Sequence, residues 1–302
     1  MVMRVLLTGG SGFIGRNILA GLQARGIDVI TLGRTPASGD ADHIHFDLLT
    51  DDGLAPILRE VQASHLIHLA WETAPDEYWT SSSNIRWTEA SMRLVEAFCT
   101  SGGEQVIFAG TCAEYDWDYG YCREDYTPLA PRKLYGASKV ATRQVAMAIC
   151  EQFGVLFSCG RIFFPFGRGE SSTRLIPSLV DALSGRRALF AVQANAYRDF
   201  MHVYDVAEGF IQLLRSGVGG TYNICSGEPT KLSDLVVRVA ELLHVDPAPI
   251  LNKSPDTQSN PVIVVGDNRK LRSIGWHPSL DASQGLRKAL AEMTGNSDKQ
   301  MS

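Results

Sequence analysis

One octapeptide near the N-terminus, TGGSGFIG at residues 8–15, constrains the fold more than any other stretch of the chain. It follows the apolar run RVLLT, which is typical of a buried strand, and it leads into an amphipathic stretch over about 13–25. A glycine cluster between a strand and a helix is typical of dinucleotide-binding βαβ units. In such units the backbone amides at the helix N-terminus face a pyrophosphate. The octapeptide therefore predicts a phosphate-binding turn, whereas an isolated glycine turn would be only structural.

The glycines of this turn match two spacings of the dinucleotide-binding pattern. Gly10, Gly12 and Gly15 give G-x-G-x-x-G, and Gly9, Gly12 and Gly15 give G-x-x-G-x-x-G. In either spacing Gly12 lets the backbone approach a pyrophosphate, and Gly15 lets the helix pack closely against the sheet. The turn alone leaves both spacings open.

Short β-branched runs alternate with amphipathic stretches over the first two-thirds of the chain. This alternation predicts an α/β fold, a Rossmann-type doubly wound parallel sheet with helices on both faces. The predicted strands are 4–8, 28–33, 43–48, 65–70, 105–110 and 155–163, and the predicted helices are 13–25, 54–62, 84–101 and 134–150.

The pattern changes beyond about Phe164, where shorter pieces alternate with proline and glycine turns. We therefore predict a nucleotide-binding domain over 1–164 and a smaller mixed α/β substrate-binding lobe over 165–302. The boundary is approximate, and the chain can cross back over it. The short polar tail from about Gly295 is expected to be disordered.

Charge and apolar patterning exclude several classes of function. The net charge of −5 comes with scattered lysines and arginines, so no basic stripe indicates a nucleic-acid partner. No apolar run reaches the length of a membrane span, and glycines interrupt the N-terminal apolar stretch, which lacks a signal-peptide cleavage site. We therefore expect a cytoplasmic protein with small-molecule partners.

The cysteines and histidines predict no metal site. The six cysteines form no C-x-x-C pair, and without a secretion signal they are expected to be reduced thiols. Two histidine pairs, at 43 and 45 and at 65 and 68, lie in or beside strand-like runs. Structural roles are therefore expected for them.

The end of the second predicted strand distinguishes the two nicotinamide coenzymes. An acidic residue there would bind the ribose of NAD, whereas an arginine pairs with the 2′-phosphate of NADP. The strand ends at Gly33 and Arg34, while Asp28 lies at its opposite end. Arg34 therefore favours NADP(H), the alternative being an arginine simply solvated at a turn. Asp47, after the third strand, is placed to accept a hydrogen bond from the adenine amino group.

The segment YGASK places Tyr135 and Lys139 four residues apart, on one face of a helix. A phenol with a pKa of ~10 must lose roughly three units to act as an acid–base at neutral pH. An ammonium ~4 Å away at an effective dielectric of ~20 supplies about 4 kcal/mol, which is enough. Tyr-x-x-x-Lys alone is a weak signal, since amphipathic helices often contain it. After a nucleotide-binding unit it becomes a strong one.

Five motifs together resemble the extended short-chain dehydrogenase/reductases, and more narrowly their nucleotide-sugar epimerase/dehydratase (4-ketoreductase) group. The resemblance runs nearly end to end and finishes with the segment at 274–290. The motifs are TGGSGFIG, AGTCAEY at 109–115, YGASK, RDFMHVYDVA at 198–207 and TYNICSG at 221–227.

The resemblance implies a role for each matching residue. Tyr135 would be the acid–base, Lys139 would lower its pKa and hold the nicotinamide ribose, and Thr111 would hydrogen-bond the reacting sugar oxygen. Arg198 matches an arginine on the substrate diphosphate, for which an ion pair with a neighbouring carboxylate is the alternative, and Asn84 matches a helix position of uncertain role. The residues matched to the coenzyme are Gly9, Gly12, Phe13, Ile14, Gly15, Arg34, Asp47, Leu48, Leu69 and Ala70, together with Tyr135 and Lys139.

Three departures from the family pattern narrow the reaction. Family 4,6-dehydratases carry an acidic pair after the catalytic threonine, where this chain has Cys112 and Ala113, and Glu114 comes one residue too late. Phe164, which we place in the substrate-binding set, stands where the family often has an asparagine near the substrate phosphates. Arg34 replaces the acidic residue typical of enzymes that retain NAD through an epimerisation cycle.

These residues predict an NAD(P)-dependent oxidoreductase acting on a nucleoside-diphosphate sugar. The leading hypothesis is NADPH reduction of a 4-keto-6-deoxy sugar, with hydride transfer to C4 and Tyr135 as proton donor. One alternative is an NAD-dependent C4 epimerase, and another is a non-catalytic NAD(P)-sensing protein, although a sensor has no need of Thr111, Tyr135 and Lys139 together. The resemblance also implies a homodimer in which helices at about 84–101 and 134–152 pair.

Overall fold

The computed structural model describes residues 3–39, 42–74, 77–253, 255 and 261–294. The strands are β1 (Arg4–Thr8), β2 (Asp28–Gly33), β3 (His43–His45), β4 (His65–His68), β5 (Gln105–Thr111), β6 (Tyr121–Cys122), β7 (Leu156–Ile162), β8 (Phe164–Phe166), β9 (Tyr197–Arg198), β10 (Phe200–His202), β11 (Gly220–Ile224), β12 (Thr230–Lys231) and β13 (Ile263–Gly266). The α-helices are α1 (Gly15–Gln23), α2 (Leu54–Val61), α3 (Ser83–Thr100), α4 (Leu134–Phe153), α5 (Leu175–Leu183), α6 (Val203–Ser216), α7 (Leu232–Leu243), α8 (Ala248–Leu251), α9 (Arg269–Ser273) and α10 (Ala282–Thr294).

A seven-stranded parallel sheet in the order β11-β7-β5-β4-β1-β2-β3 forms the centre of the structure. Successive residues of β1 point to opposite faces: Val5 and Leu7 join the core beneath α1 and α6, while Leu6 joins the core beneath α2, α3 and α4. At Val5, Leu6 and Leu7 the strand is apolar and buried on both faces, as the sequence predicted for a doubly wound sheet. The predicted fold class is confirmed.

The chain crosses back over the boundary expected at residue 164. Helix α6 packs against the sheet beside α1, and strand β11 pairs in parallel with β7, adding an edge strand that the sequence prediction had assigned to the smaller lobe. The smaller lobe contains a two-stranded sheet, β10-β8, and a four-stranded sheet of short strands in the order β12-β9-β13-β6. A separate apolar core, to which α5, α7 and α10 contribute, lies within it.

Predicted and observed elements differ mainly at their ends. The third strand was predicted over 43–48 but ends at His45, because a turn begins at Asp47. In that turn Asp47 donates its amide to the carboxylate of Asp51 at 2.7 Å and accepts from the amide of Leu49 at 2.9 Å. The fourth strand ends at His68 rather than at residue 70. The prediction for the tail from Gly295 lies outside the described residues.

The cysteines and the buried His68 take structural positions. All six cysteines are free and buried. His68 joins two strands and a helix, since its Nδ1 lies 2.6 Å from the Thr8 hydroxyl and its Nε2 lies 2.8 Å from the Ser91 hydroxyl. Among the described residues no cluster of metal-ligating side chains is found, and none of the helices is both long and apolar enough to cross a bilayer.

Candidate active site

The glycine turn after β1 is built for close backbone packing. Gly9 has a φ of +74°, and a Cβ there would lie 2.8 Å from the backbone nitrogen of Ala70. A Cβ at Gly15 would lie 2.0 Å from the carbonyl oxygen of Gly9. At Gly10 the φ is ordinary, and the tightest contact of an added Cβ would be the Thr31 side chain at 3.1 Å. The geometry therefore follows the Gly9, Gly12 and Gly15 spacing, because Gly9 and Gly15 are the positions that exclude a side chain.

The N-terminus of α1 opens directly from this turn. Its N-cap residue is Ile14, no side chain caps it, and its first turn contains no acidic residue. The backbone amides of Phe13, Ile14 and Gly15 lie in this uncapped turn, where the helix dipole favours an anion. This arrangement fits the pyrophosphate of a dinucleotide, and Leu69 and Ala70 border it through the close approach of Gly9 to the end of β4.

The residues expected at the adenosine end lie at the C-terminal ends of β2 and β3. Arg34 is exposed and forms no ion pair within the part of the chain that the structure describes. Beside it, the hydroxyl of Thr35 lies 3.3 Å from that of Ser11 in the glycine turn. Asp47 uses one carboxylate oxygen within its own turn, and Leu48 is buried.

Thr111, Tyr135 and Lys139 come together at the C-terminal edge of the sheet. Thr111 ends β5, and Tyr135 lies in the first turn of α4, with its amide bonded to the carbonyl of Trp79 at 3.1 Å. Lys139 lies one turn further on, and its Nζ donates to the carbonyl of Ala109 at 3.0 Å and lies 6.0 Å from the Tyr135 ring centroid. The spacing that predicted a shared helix face therefore does bring the phenol and the ammonium to one site.

Burial dominates the electrostatics of this site. Tyr135 is 8% exposed and Lys139 is 3% exposed. Burial lowers the pKa of Lys139 from 10.5 to about 7, and the charge of Glu114 opposes that shift. Burial also raises the pKa of Tyr135, assisted by Tyr78, while a hydrogen bond with Thr111 acts in the opposite direction. We expected Lys139 to lower the pKa of Tyr135, whereas in the folded chain desolvation of the phenolate raises that pKa.

Four aromatic side chains, which we call the aromatic wall, surround Tyr135; they are Trp71, Tyr78, Trp79 and Trp117. The Tyr78 ring meets the Tyr135 ring edge-to-face at 4.8 Å, and the Trp79 ring does so at 5.7 Å. The ammonium of Lys139 lies 3.9 Å from the centre of the Trp71 ring. The wall leaves an apolar surface beside the phenol.

Asn84 holds the loop that carries most of this wall. Its Oδ1 accepts from the indole nitrogen of Trp71 at 2.9 Å, and its Nδ2 donates to the carbonyl of Tyr78 at 2.6 Å. Asn84 is buried at the start of α3. The family position to which no role was attached therefore acts here as an organiser of the loop.

Phe164 and Arg198 lie in the smaller lobe, 5.8 Å apart between the ring centroid and the guanidinium carbon. Arg198 donates to the backbone carbonyls of Tyr197, Pro261 and Val262. These three acceptors are backbone oxygens, and burial lowers the pKa of the Arg198 guanidinium. Phe164 packs against Phe200.

Sequence reasoning missed the aromatic wall and the surroundings of Glu114. None of the four wall residues is among those that the sequence motifs predicted for the site. Tyr78 and Trp79 stand side by side in a polar stretch just before α3, which is an available signal for a functional loop. No local signal shows that Glu114 is fully buried, because its partners come from distant elements.

Comparison with known proteins identifies this arrangement. The model of the NAD dependent epimerase/dehydratase family matches residues 5–225. The chain is 27% identical to the GDP-6-deoxy-D-mannose reductase of Pseudomonas aeruginosa over 97% of each chain. It is 28% identical to the UDP-glucose 4-epimerase of Azospirillum brasilense, over 95% of this chain and 91% of that protein.

A solved structure shows the same fold over the full length. The crystal structure of the Thermus thermophilus UDP-glucose 4-epimerase in complex with NAD superimposes with a TM-score of 0.84 at 25% identity, covering 97% of this chain and 99% of that chain. The glycine turn, the Tyr-x-x-x-Lys helix and the family match agree. The chain is an enzyme of the NAD dependent epimerase/dehydratase family, within the extended short-chain dehydrogenases/reductases.

Proposed function

We propose that the protein reduces the 4-keto group of a nucleoside-diphosphate 4-keto-6-deoxy sugar to an alcohol, using NADPH. A bound nicotinamide coenzyme supplies the hydride. The chain's own groups bind and orient the sugar, and Tyr135 donates the proton that the new alcohol oxygen needs. The likeness to a GDP-6-deoxy-D-mannose reductase supports this reaction class.

The burial of Tyr135 beside Thr111 and Lys139, together with the likeness to a reductase, carries the proposal. Because burial raises its pKa, the phenol is protonated at neutral pH. A reduction uses the phenol in this form, since the oxygen that develops negative charge at C4 is basic enough to take the proton. An epimerase must first remove a proton from the sugar hydroxyl and therefore needs the phenolate. Burial favours the protonated phenol, which is the form that a reduction uses first.

Thr111 and Lys139 complete the proton-transfer site. The Thr111 hydroxyl, next to Tyr135, is placed to hydrogen-bond the same sugar oxygen and so to orient it. Lys139, when cationic, stabilises the phenolate that remains after proton donation and presents donors to the ribose of the coenzyme. These roles follow from the family likeness and the observed proximity.

The aromatic wall and Phe164 support a deoxygenated sugar as substrate. An apolar surface beside Tyr135 accommodates a C6 methyl group, whereas a hydroxymethyl group would lose its hydrogen bonds to water there. Phe164, where the family often has an asparagine, extends the apolar lining towards Arg198. The guanidinium of Arg198 is the proposed contact of the substrate diphosphate, to which a bidentate fork is suited.

Arg34 supports NADP(H) over NAD(H). It lies exposed at the end of β2, beside the hydroxyls of Ser11 and Thr35, where a 2′-phosphate would be close to a cation and two donors. The coenzyme would be held by the glycine turn, the α1 N-terminus, Leu69 and Ala70, with Asp47 and Leu48 at the adenine.

A second candidate is an NAD-dependent C4 epimerase, supported by comparable identity to UDP-glucose 4-epimerases. Coenzyme content separates the two reactions. A purified protein with tightly held NAD favours the epimerase, and an empty protein that binds NADPH favours the reductase.

A homodimer through α3 and α4 is also part of the proposal. The two helices pack side by side and expose the apolar side chains Ile85, Val145 and Met147 to solvent. Pairing with a second copy of this chain would bury such side chains.

The experiment that tests the main proposal follows NADPH oxidation with a panel of GDP-, UDP- and dTDP-linked 4-keto-6-deoxyhexoses. We expect turnover with at least one of them, and loss of turnover by roughly a thousandfold or more in Tyr135→Phe, with NADPH affinity retained. Tyr119→Phe, an exposed tyrosine of the neighbouring loop, is the matched control. Normal turnover in Tyr135→Phe would exclude the acid role.

A further inference from the structure

Glu114 lies directly beneath the catalytic residues, in the short turn that follows Thr111. Its side chain is fully buried, and its Oε2 lies 2.9 Å from the Nε of Arg161 and 3.4 Å from the Nε of Arg143. The carboxylate is buried against Arg161 and Arg143, and Glu114 comes one residue later in the sequence than the acidic pair of the family's dehydratases. It therefore has a different role from theirs.

This carboxylate is surrounded by buried cations from different elements. Arg161 comes from β7, Arg143 and Lys139 come from α4, and each of the three is less than one-tenth exposed. Arg161 also donates to the hydroxyl of Tyr115 at 2.8 Å. The carboxylate is paired with two guanidinium groups, and removing one partner would leave a buried charge uncompensated.

Glu114 is bonded directly to the catalytic threonine. Its Oε1 accepts from the backbone amide of Thr111 at 2.9 Å, and the Thr111 hydroxyl accepts from the amide of Ala113 at 3.2 Å. These two bonds form a capping box around the turn. They fix the backbone and the hydroxyl orientation of Thr111, which meets Tyr135.

Glu114 also acts on Lys139 through its charge. The groups facing Lys139 are Glu114 on the turn, His68 on β4, Cys159 on β7 and Tyr135 on its own helix. His68 is neutral, since burial lowers its pKa to about 3, and Cys159 is a neutral thiol, since burial raises its pKa to about 12. Among these four groups, Glu114 therefore provides the negative charge that offsets the desolvation of the ammonium.

We propose that Glu114 is a positioning residue whose carboxylate anchors Thr111 and favours the cationic form of Lys139. It acts through these two side chains and does not touch the substrate. The proposal rests on the proposed catalytic roles of Thr111, Tyr135 and Lys139. It explains why a glutamate follows the catalytic threonine at a spacing that does not serve dehydration.

The first test measures Lys139 directly, without substrate. In protein labelled with 13C-lysine, the Cε resonance of Lys139 is assigned by its loss in Lys139→Arg and then titrated by NMR. We expect Glu114→Gln, which has the same shape, to lower the titration midpoint of Lys139 by roughly one pH unit. Asp205→Asn is the matched control, because Asp205 is an equally buried carboxylate that is bonded to Ser279 and Leu280. An unchanged midpoint in Glu114→Gln would overturn the electrostatic part of the proposal.

The second test uses the reaction. In the direction of ketone reduction both Lys139 and Tyr135 act in their protonated forms, and loss of the Glu114 charge lowers the pKa of each. The alkaline limb of kcat/KM should therefore move to lower pH in Glu114→Gln and stay in place in Asp205→Asn. At neutral pH kcat should fall by roughly ten- to a hundredfold with little change in KM. A loss of this size is expected when a catalytic group is displaced by ~1 Å.

A double variant covers the case in which Glu114→Gln does not fold. Glu114→Met with Arg161→Met removes one charge of each sign and replaces the pair by apolar side chains of similar length. We expect it to fold and still to lose at least about tenfold in kcat, because the amide of Thr111 has no acceptor. A wild-type kcat in a folded double variant would refute the anchoring role. A wild-type enzyme inactive on the whole substrate panel would instead reject the proposed reaction, and the NMR titration would still test Glu114.

Discussion

Replacing Lys139 by methionine should stabilise the free protein while abolishing its reaction. The pKa of Lys139 falls from 10.5 in an unfolded chain to about 7 in the folded protein because the side chain is buried. Between these values the unfolded chain binds more protons than the folded one, so stability rises with pH across this window. A pKa shift of this size corresponds to a free energy of about 5 kcal/mol. This free energy destabilises the folded protein in full below pH 7, and it disappears as the pH approaches 10.5.

At neutral pH two contacts of the Lys139 ammonium offset part of this destabilisation in the wild-type protein. The ammonium donates to the carbonyl of Ala109 at 3.0 Å and lies over the ring of Trp71 at 3.9 Å, contacts that methionine cannot make. Such contacts are worth about 1–3 kcal/mol together. The variant should therefore be more stable than wild type at pH 7, and its advantage should be about 3–4 kcal/mol smaller at pH 10.

Urea denaturation followed by tryptophan fluorescence at several pH values between 7 and 10 measures this difference. Lys133→Met, which removes an exposed lysine just before α4, is the control and should show little change with pH. If the difference in unfolding free energy between Lys139→Met and wild type does not change with pH, Lys139 has the same pKa in the folded and the unfolded protein. The desolvation argument would then be refuted.

Two further substitutions test the coenzyme and the assembly. Arg34→Ala should weaken NADPH binding by roughly 10- to 100-fold and leave NADH binding nearly unaffected, because a charged hydrogen bond to the 2′-phosphate is lost. Fluorescence titration measures both affinities, with Arg59→Ala as a control at an exposed arginine. Equal losses of NADPH and NADH affinity would remove the argument for NADP. Val145→Glu should shift the protein from dimer to monomer in sedimentation velocity, because a carboxylate would be buried in the proposed helix interface. Val245→Glu, at an exposed valine after α7, should leave the dimer intact, and an unchanged dimer in Val145→Glu would place the interface elsewhere.

Local patterns in the sequence were enough to predict the sheet and the approach of the two proposed catalytic residues. The apolar run at 4–8, the glycines after it and the alternation of strands and helices each depend on neighbours a few residues away. The same holds for Tyr135 and Lys139, since a spacing of four on a helix places both on one face. Element ends were less accurate, because turns such as the one at Asp47 stop a strand through side-chain bonds that apolar periodicity does not show.

The tertiary structure decided the surroundings of those residues and hence their chemistry. The sequence alone places an ammonium near a phenol and predicts a lowered phenol pKa. The fold buries both groups behind the aromatic wall, so desolvation raises the pKa of Tyr135 instead. Glu114 meets Arg161 because β5 and β7 are neighbours in the sheet, 47 residues apart along the chain. Burial and charge pairing depend on such long-range contacts, whereas periodicity and glycine spacing are properties of the local chain.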